Sequence, residues 1–496
     1  MAIKKVVIVG AGPAGLTAAY ELLKRGGDRF DVTIIEETQN VGGIARNESL
    51  NSNILDIGGH NYHTENELVK EWWNKFLPIT GKPAYDYRII KKDMPVAFSG
   101  PDPDSCSDVM ILRKKNYSVY RHGKFYNYPF SLNSKTNKNL GFAKSFKANA
   151  SKLYSQIFST HEQYLEDCLV NRYGKDIYTR FIEHYTEKVL GKHPAEIYNI
   201  SDNNNFDGLF LEKEIKKDSE SSYYYYPKYG AGQLWQKVAL EIKKMGGKFL
   251  FNCRVVEIAH NASMVTSVRF NYNGQENDLP ADMLFSTMPL RDLMGAFTPQ
   301  PPDDILDISQ NLIYRDLQTV GVLVSELKIK CPFSLSLGEL VPENCIYVND
   351  SSVKLSKIHV YNNRSPYMIK NVFGTVLLGL EYYCREGDMY WTMSDKDLYD
   401  LVISELVKIG LIEAPKVIEL CRFKTKKALP IFHGEYANIN RIQSYLNGFY
   451  NLYCIGRNGQ HRCYNIDQAM LTAFEAVDNI ILNKTSKANI WTINVH

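Results

Sequence analysis

The sequence predicts an α/β fold built around a doubly wound parallel sheet, and three observations carry that prediction. An apolar strand, Lys5-Val6-Val7-Ile8-Val9, runs directly into Gly10-Ala11-Gly12-Pro13-Ala14-Gly15, and a helix-like stretch over residues 16–24 follows. A second apolar strand, Val32-Thr33-Ile34-Ile35, ends in Glu36, 21 residues after Gly15. Residues 313–383 then alternate as strands around 319–324, 358–361 and 375–382, which argues for a second sheet. The first two features together make a Rossmann-type dinucleotide unit. Gly10 permits the tight turn, Gly12 lets the backbone approach a pyrophosphate, and Gly15 lets helix and strand pack closely. Pro13 and Ala14 belong to the same cofactor-binding turn, and the N-terminal N–H groups and positive dipole end of the helix that follows face the phosphates. Glu36 accepts hydrogen bonds from a ribose 2′-hydroxyl, which argues for an unphosphorylated adenosine ribose.

The residues after Glu36 choose between dinucleotides. Gly42-Gly43 suggests another close backbone approach to the same diphosphate, and Arg46 sets a bidentate cation beside it. This element resembles the glycine-glycine-arginine segment of FAD proteins of the glutathione-reductase and amine-oxidase type, and the resemblance implies FAD. By the same resemblance, the Val255 backbone meets the adenine, and Ser286-Thr287-Met288-Pro289 ends a strand near the cofactor. Near the C-terminus, a strand ends at Gly456-Arg457, and a helix starts near Asn465-Ile466-Asp467, with Asp467 expected as its cap. That helix start is positioned to face the flavin pyrimidine and to stabilise negative charge on the reduced flavin.

Bulk composition excludes several classes. A formal charge of +3 over 496 residues leaves no electrostatic footprint for nucleic acid. No 18-residue apolar run is present, so no transmembrane segment is expected. Cysteines 106, 168, 253, 331, 345, 384, 421, 454 and 463 form no C-x-x-C pair, which suits reduced thiols and a cytoplasmic location. No metal site is read from the sequence, and a homo-oligomer is compatible with it. The pattern divides into a discontinuous FAD-binding domain (1–75, 228–298 and 440–496), a mainly helical insertion (76–227) and a sheet-containing substrate domain (299–439). A helix is expected over 65–76 and a helical pattern over 142–198, where Tyr164, Cys168, Leu169 and Tyr173 recur at helical spacing. Turns at Asn261-Ala262-Ser263 and Asn273-Gly274 mark a βββ crossover inside the FAD domain, and the polar stretch 201–220 reads as a solvated loop.

Several segments resemble UDP-galactopyranose mutases. Asp56-Ile57-Gly58-Gly59-His60-Asn61-Tyr62-His63-Thr64 is similar to that family's glycine-histidine segment beside the isoalloxazine, and Gly456-Arg457-Asn458-Gly459 with Tyr464-Asn465-Ile466-Asp467-Gln468 to its C-terminal flavin motif. Tyr185-Thr186-Glu187-Lys188-Val189 and Asn362-Asn363-Arg364-Ser365-Pro366 also resemble family segments. The resemblance implies a nucleotide-sugar substrate and reduced FAD as a covalent catalyst, its N5 bonding the sugar C1 while pyranose becomes furanose. It further implies NADPH or NADH as reductant and a place in polysaccharide biosynthesis. His60 and His63 become the catalytic candidates beside the flavin, and Asn363, Lys357, Arg364, Tyr185 and Tyr464 the substrate-binding ones.

The chain departs from that family at the diphosphate. Its two arginines fall at Glu183 and Lys357, and a tyrosine falls at Cys463, with Tyr464 one residue away. Lys357 binds phosphate only as a point charge, without a guanidinium fork, and Glu183 repels it. Arg180, Lys188, Arg364 and Arg462 are the cations positioned to compensate. The alternative is an oxidoreductase of the amine oxidase and protoporphyrinogen oxidase type. It shares every FAD motif and calls for an apolar or aromatic pocket.

Overall fold

The computed structural model describes residues 2–90, 99–128, 130–199, 222–329 and 340–493; the polar stretch 201–220 lies outside the described residues. Five parallel strands form the nucleotide-side sheet in the order Leu452–Cys454, Met283–Ser286, Lys4–Val9, Phe30–Ile35, Lys248–Leu250. Strand order reverses at Lys4–Val9, so a crevice opens beyond its carboxyl end, where α/β sheets bind ligands. Val6, Val7 and Ile8 are almost fully buried because a layer of helices packs on the sheet and strand Cys253–His260 also meets Phe30–Ile35, which explains the unbroken apolar run. Pro13–Gly26 is the first of these helices, and it packs against Ile466–Ile481 from the far end of the chain.

The glycine turn works by close approach. Gly10 has φ +100°, and a Cβ on Gly15 would stand 2.0 Å from the Gly10 carbonyl oxygen. The expected βββ crossover is the antiparallel meander Cys253–His260, Val265–Tyr272, Gln275–Pro280. The expected helix at 65–76 is Glu67–Phe76, started by the Asn66 side chain, which accepts from Val69 N at 3.2 Å.

A second sheet has seven strands, in the order Val417–Ile431, Ile313–Val324, Val376–Cys384, Lys357–Val360, Cys345–Val348, Tyr117–Arg121, Lys124–Asn127. Its last two strands come from the stretch expected to be mainly helical. They extend the sheet because Tyr117–Arg121 pairs in parallel with Cys345–Val348, a contact invisible to local periodicity. The pattern over 142–198 resolves into Phe142–Ile157, Leu165–Tyr173, Lys175–Ile177, a π-turn at Tyr178–Ile182 and Glu183–Leu190. An aromatic core that includes Tyr117, Tyr128, Tyr185 and Tyr347 joins this helical layer to the sheet.

Gly15→Ala is expected to destabilise the cofactor-free protein by about 1–3 kcal/mol through overpacking against Gly10, measured by urea unfolding. An unchanged midpoint would contradict the close approach of helix to turn.

Candidate active site

The carboxyl ends of the nucleotide-side strands, both glycine loops and the start of helix Ile466–Ile481 converge on one cavity of about 470 Å³. Of the residues singled out in the sequence, Gly10, Gly12, Pro13, Ala14, Glu36, Gly43, Gly58, Gly59, His60, His63, Gly456, Arg457, Asn465 and Ile466 line it, and so do Tyr185, Lys357 and Tyr464. Glu36 is nearly buried at one end, its Oε2 accepting from Ala11 N at 2.8 Å and its Oε1 from Thr38 Oγ1 at 2.8 Å. Gly42 N donates to Ala11 O at 2.8 Å and ties the two glycine loops together. A Cβ on Gly43 would stand 3.2 Å from Gly12 Cα, so bare backbone faces the cavity there.

These residues fit FAD. An acid stands at the ribose end, a side-chain-free cradle follows, and a helix N-terminus lies beyond it. Asn458 adds a further sign: it lines the cavity, and its buried Oδ1 has no hydrogen-bond partner among the described residues. A donor on a bound group would satisfy it.

Other candidates lie off the cavity lining. Gly15 supports the turn from behind, and Gly42 serves the loop contact just described. Arg46 is held by Glu48 Oε1 at 2.9 Å and by Gly43 O at 3.1 Å. Val255 is buried in its strand, paired with Phe270. Asn363 Nδ2 donates to Val341 O and Glu343 O, both at 2.8 Å. Asp467 is not the helix cap. Asn465 takes that place because its backbone is extended (φ −72°, ψ 176°) and Gln468 reaches back to Asn465 N at 2.9 Å. Asp467 is buried in the helix's first turn, and burial raises its carboxyl against a hydrogen bond from Thr64.

Both candidate histidines are neutral near pH 7. His60 Nε2–H donates to Ile44 O at 2.6 Å and Ile57 O at 2.9 Å, and burial lowers its pKa to about 4. Burial, with Lys115 and Lys70 nearby, lowers His63 to about 4 as well.

The end of the cavity where the sequence leads one to expect substrate is walled by Tyr117, Tyr185, Tyr347 and Tyr383, with Leu317 and Leu429 among the apolar lining. Lys357 reaches this wall, but its Nζ lies 3.4 Å from Glu381 Oε2 and 5.2 Å from the Tyr347 ring centroid. Burial works against its charge, yet Glu381, Tyr383, Tyr185 and Cys345 together outweigh burial and raise the pKa overall. Burial alone would raise Glu381; Lys357 and His359 hold it well below the usual carboxylate range instead. His359 Nε2–H donates to Glu381 Oε1 at 2.6 Å, and Tyr383 Oη donates to Glu381 Oε2 at 3.3 Å. Arg364 is buried behind the wall, donating to His60 O at 3.0 Å and His359 Nδ1 at 2.9 Å.

The remaining cations are also engaged. Lys188 Nζ donates to Val348 O, Asp350 O and Leu355 O at 2.9–3.0 Å, and Arg180 forks onto Asp176. Glu183 pairs with His193 at 3.2 Å, and Cys463 Sγ sits 3.4 Å from Pro430 O. Arg462 is not part of the lining. Sequence reasoning missed Glu381, Tyr347, Tyr383, Tyr117 and Lys115 as lining residues. Glu381 had a signal, being a lone acid in a strand that is otherwise buried and apolar or aromatic.

The chain matches the family described as flavin containing amine oxidoreductase over residues 13–481. An L-amino-acid oxidase of Crotalus adamanteus is 26% identical over 264 residues, which is 52% of this chain and 45% of that protein, so the match spans less than half of that relative. Polyamine oxidase 1 of Oryza sativa subsp. japonica is 54% identical over 39 residues, 8% of each chain. Among solved structures, reduced UDP-galactopyranose mutase superimposes with a TM-score of 0.76 at 17% identity, covering 99% of this chain and 100% of that one. Cyclohexylamine oxidase from Brevibacterium oxydans gives 0.60 at 13% identity, covering 96% and 100%. The mixed α/β fold is that of FAD-dependent amine oxidases and mutases.

His461 gives a pH prediction. It is fully buried, and burial lowers its pKa from 6.5 to about 4. The unfolded chain therefore binds a proton between those values that the folded chain does not, so this histidine makes stability fall as pH drops through that window. His461→Gln should flatten the pH dependence of urea stability there, by at most ~1.4 kcal/mol per pH unit. Equal slopes in the two proteins would contradict the burial argument.

Proposed function

The chain belongs to the family of flavin-containing amine oxidoreductases, and from that premise we propose that it is an FAD-dependent oxidoreductase acting on a small amine that also carries a carboxylate. FAD, when bound, supplies the two-electron acceptor for oxidation of the C–N bond. Glu36, the Gly12–Gly43 cradle, Arg457 and the helix start at Asn465 are the residues that would hold it.

The observation that carries the choice is where the cations go. A nucleotide diphosphate calls for concentrated positive charge and preferably guanidinium forks. Arg364, Lys188 and Arg180 are committed to protein partners off the cavity lining, and Lys357 is paired with Glu381. What remains at that end is a tyrosine wall with a modest positive balance, because Lys357 and Glu381 offset each other and Lys115 adds a positive charge to the lining. That balance disfavours an ammonium and favours the neutral amine, whose lone pair assists loss of hydride from the adjacent carbon. It also attracts a single carboxylate, which agrees with the name of the L-amino-acid oxidase relative. Tyr185 and Tyr347 orient the body of the substrate by packing, and the neutral His63 offers a ring nitrogen to a substrate N–H without adding charge.

A nucleotide-sugar mutase is the second reading, supported by the near-complete superposition on reduced UDP-galactopyranose mutase. Adding a panel of L-amino acids and simple amines to the oxidised holoprotein without oxygen separates the two. Bleaching of the flavin visible band with release of an imine or keto product supports the oxidoreductase. No bleaching, together with furanose signals by NMR when dithionite-reduced protein meets nucleotide hexoses, would replace it with the mutase. Lys115→Met is expected to raise KM about ten-fold for amino acids and much less for amines of equal size. Equal effects on both would remove the carboxylate from the proposal.

A further inference from the structure

Helix Phe142–Ile157 is amphipathic in the inverted sense. The side chains it buries are Ser145, Ala148 and Ser155, while Phe142 is 90% exposed, Phe146 71%, Leu153 59% and Ile157 64%. At about 100° per residue these four fall within roughly 60° of one another on the helix circumference, opposite the buried serines and alanine. Tyr154 and Phe158 widen the stripe at 64% and 61% exposure. Among the described residues nothing covers it. A soluble surface seldom carries so large a contiguous apolar patch without a partner.

The charges beside the stripe have one sign. Between Asp108 and Glu162 the chain contains no Asp or Glu, yet it contains Lys138, Lys144, Lys147 and Lys152 around this helix. Lys138, Lys144 and Lys147 are exposed, and Lys152 is half-buried. The nearest acid is Asp176 on the neighbouring helix, 3.6 Å from Lys147 but forked by Arg180.

We propose that helix Phe142–Ile157 docks the protein onto an anionic lipid surface, with the aromatic stripe entering the headgroup–acyl boundary and the lysines meeting the headgroups. Lysine-flanked aromatic helices bind bilayers in this way, lying about 5–10 Å deep in the interface. No described helix is long and apolar enough to cross a membrane, so the contact is peripheral. One feature favours lipid over a second copy of the chain. A second copy meeting this face by two-fold symmetry would set lysines against the same lysines, with no acid between them.

The test is flotation of the holoprotein with vesicles of phosphatidylcholine alone and of phosphatidylcholine with phosphatidylglycerol. Binding to the anionic vesicles should exceed binding to the neutral ones about ten-fold or more and should weaken in high salt. The triple variant Phe142→Ser, Phe146→Ser, Ile157→Ser should lose anionic binding about ten-fold or more while keeping its flavin absorbance and melting temperature, since these side chains support no core. Lys144→Glu with Lys147→Glu should lose the preference for anionic vesicles. Absence of anionic binding, or undiminished flotation of the triple variant, overturns the proposal. So does a dimer by analytical ultracentrifugation that the triple variant abolishes, which would make the face an interface between copies.

Discussion

The arrangement of the active site depends on one buried guanidinium. Arg364 is 1% exposed, and its two terminal nitrogens bind the glycine-histidine loop and His359. His359 passes that contact on: its Nδ1 accepts from Arg364, and its Nε2–H donates to Glu381, which in turn meets Lys357 and Tyr383. A continuous chain therefore runs from the glycine-histidine loop to the tyrosine wall of the cavity. These charges are largely buried and tolerable because the next group answers each of them; removing one member of such a set strands the others at several kcal/mol. The chain also shapes the loop, because a Cβ on Gly59 would lie 2.2 Å from the His359 ring. Gly59 thus presents bare backbone to the cavity on one side and to an imidazole on the other.

That constraint explains why Lys357 and Arg364 read differently in the sequence and in the fold. Each is a cation in a segment where a phosphate ligand is expected. Lys357 stands directly opposite Glu381 in the antiparallel pairing of Lys357–Val360 with Val376–Cys384, so its charge is taken by a cross-strand partner. Arg364 follows that strand after a single helical turn, Tyr361–Arg364, which turns it inward beneath the loop. Charge that serves the architecture is no longer available to grip a highly charged ligand. The tyrosine wall then dominates the chemistry of the substrate end.

The cofactor half was legible because its chemistry is local. Gly10, Gly12, Gly15 and Glu36 act through backbone shape and spacing within one strand–turn–helix–strand unit, and the fold puts the unit where the spacing implies. The substrate half was not, because its wall is assembled from distant pairings. Tyr117 reaches the cavity through a parallel contact with Cys345–Val348, more than two hundred residues later in the chain. Glu381 looks like an isolated acid until its strand finds Lys357. The cap at Asn465 rather than Asp467 was decided by Gln468, whose side chain completes a reciprocal box that Asp467 has no equivalent for. Periodicity likewise announced helices over 142–198 but gave no sign that the first would turn its large side chains outward.

That outward turn bears on how the helix is held. Phe142–Ile157 has a glycine at its N-cap with no side-chain hydrogen bond, no acid in its first turn and no base in its last. Burying two serines and an alanine removes little apolar surface from water, so packing against the body contributes far less than for a helix with leucines inside. A 16-residue helix with neither good caps nor a buried apolar face is marginal by itself. Its helicity must draw on Leu165–Tyr173 and Lys175–Ile177, on which it packs, and on whatever its outer face meets. Those two helices lead through the π-turn at Tyr178–Ile182 into Glu183–Leu190, which places Tyr185 and Val189 in the cavity wall. Order gained at the outer face is therefore gained by the layer that carries part of the substrate wall, which couples where the protein docks to how well that wall is formed.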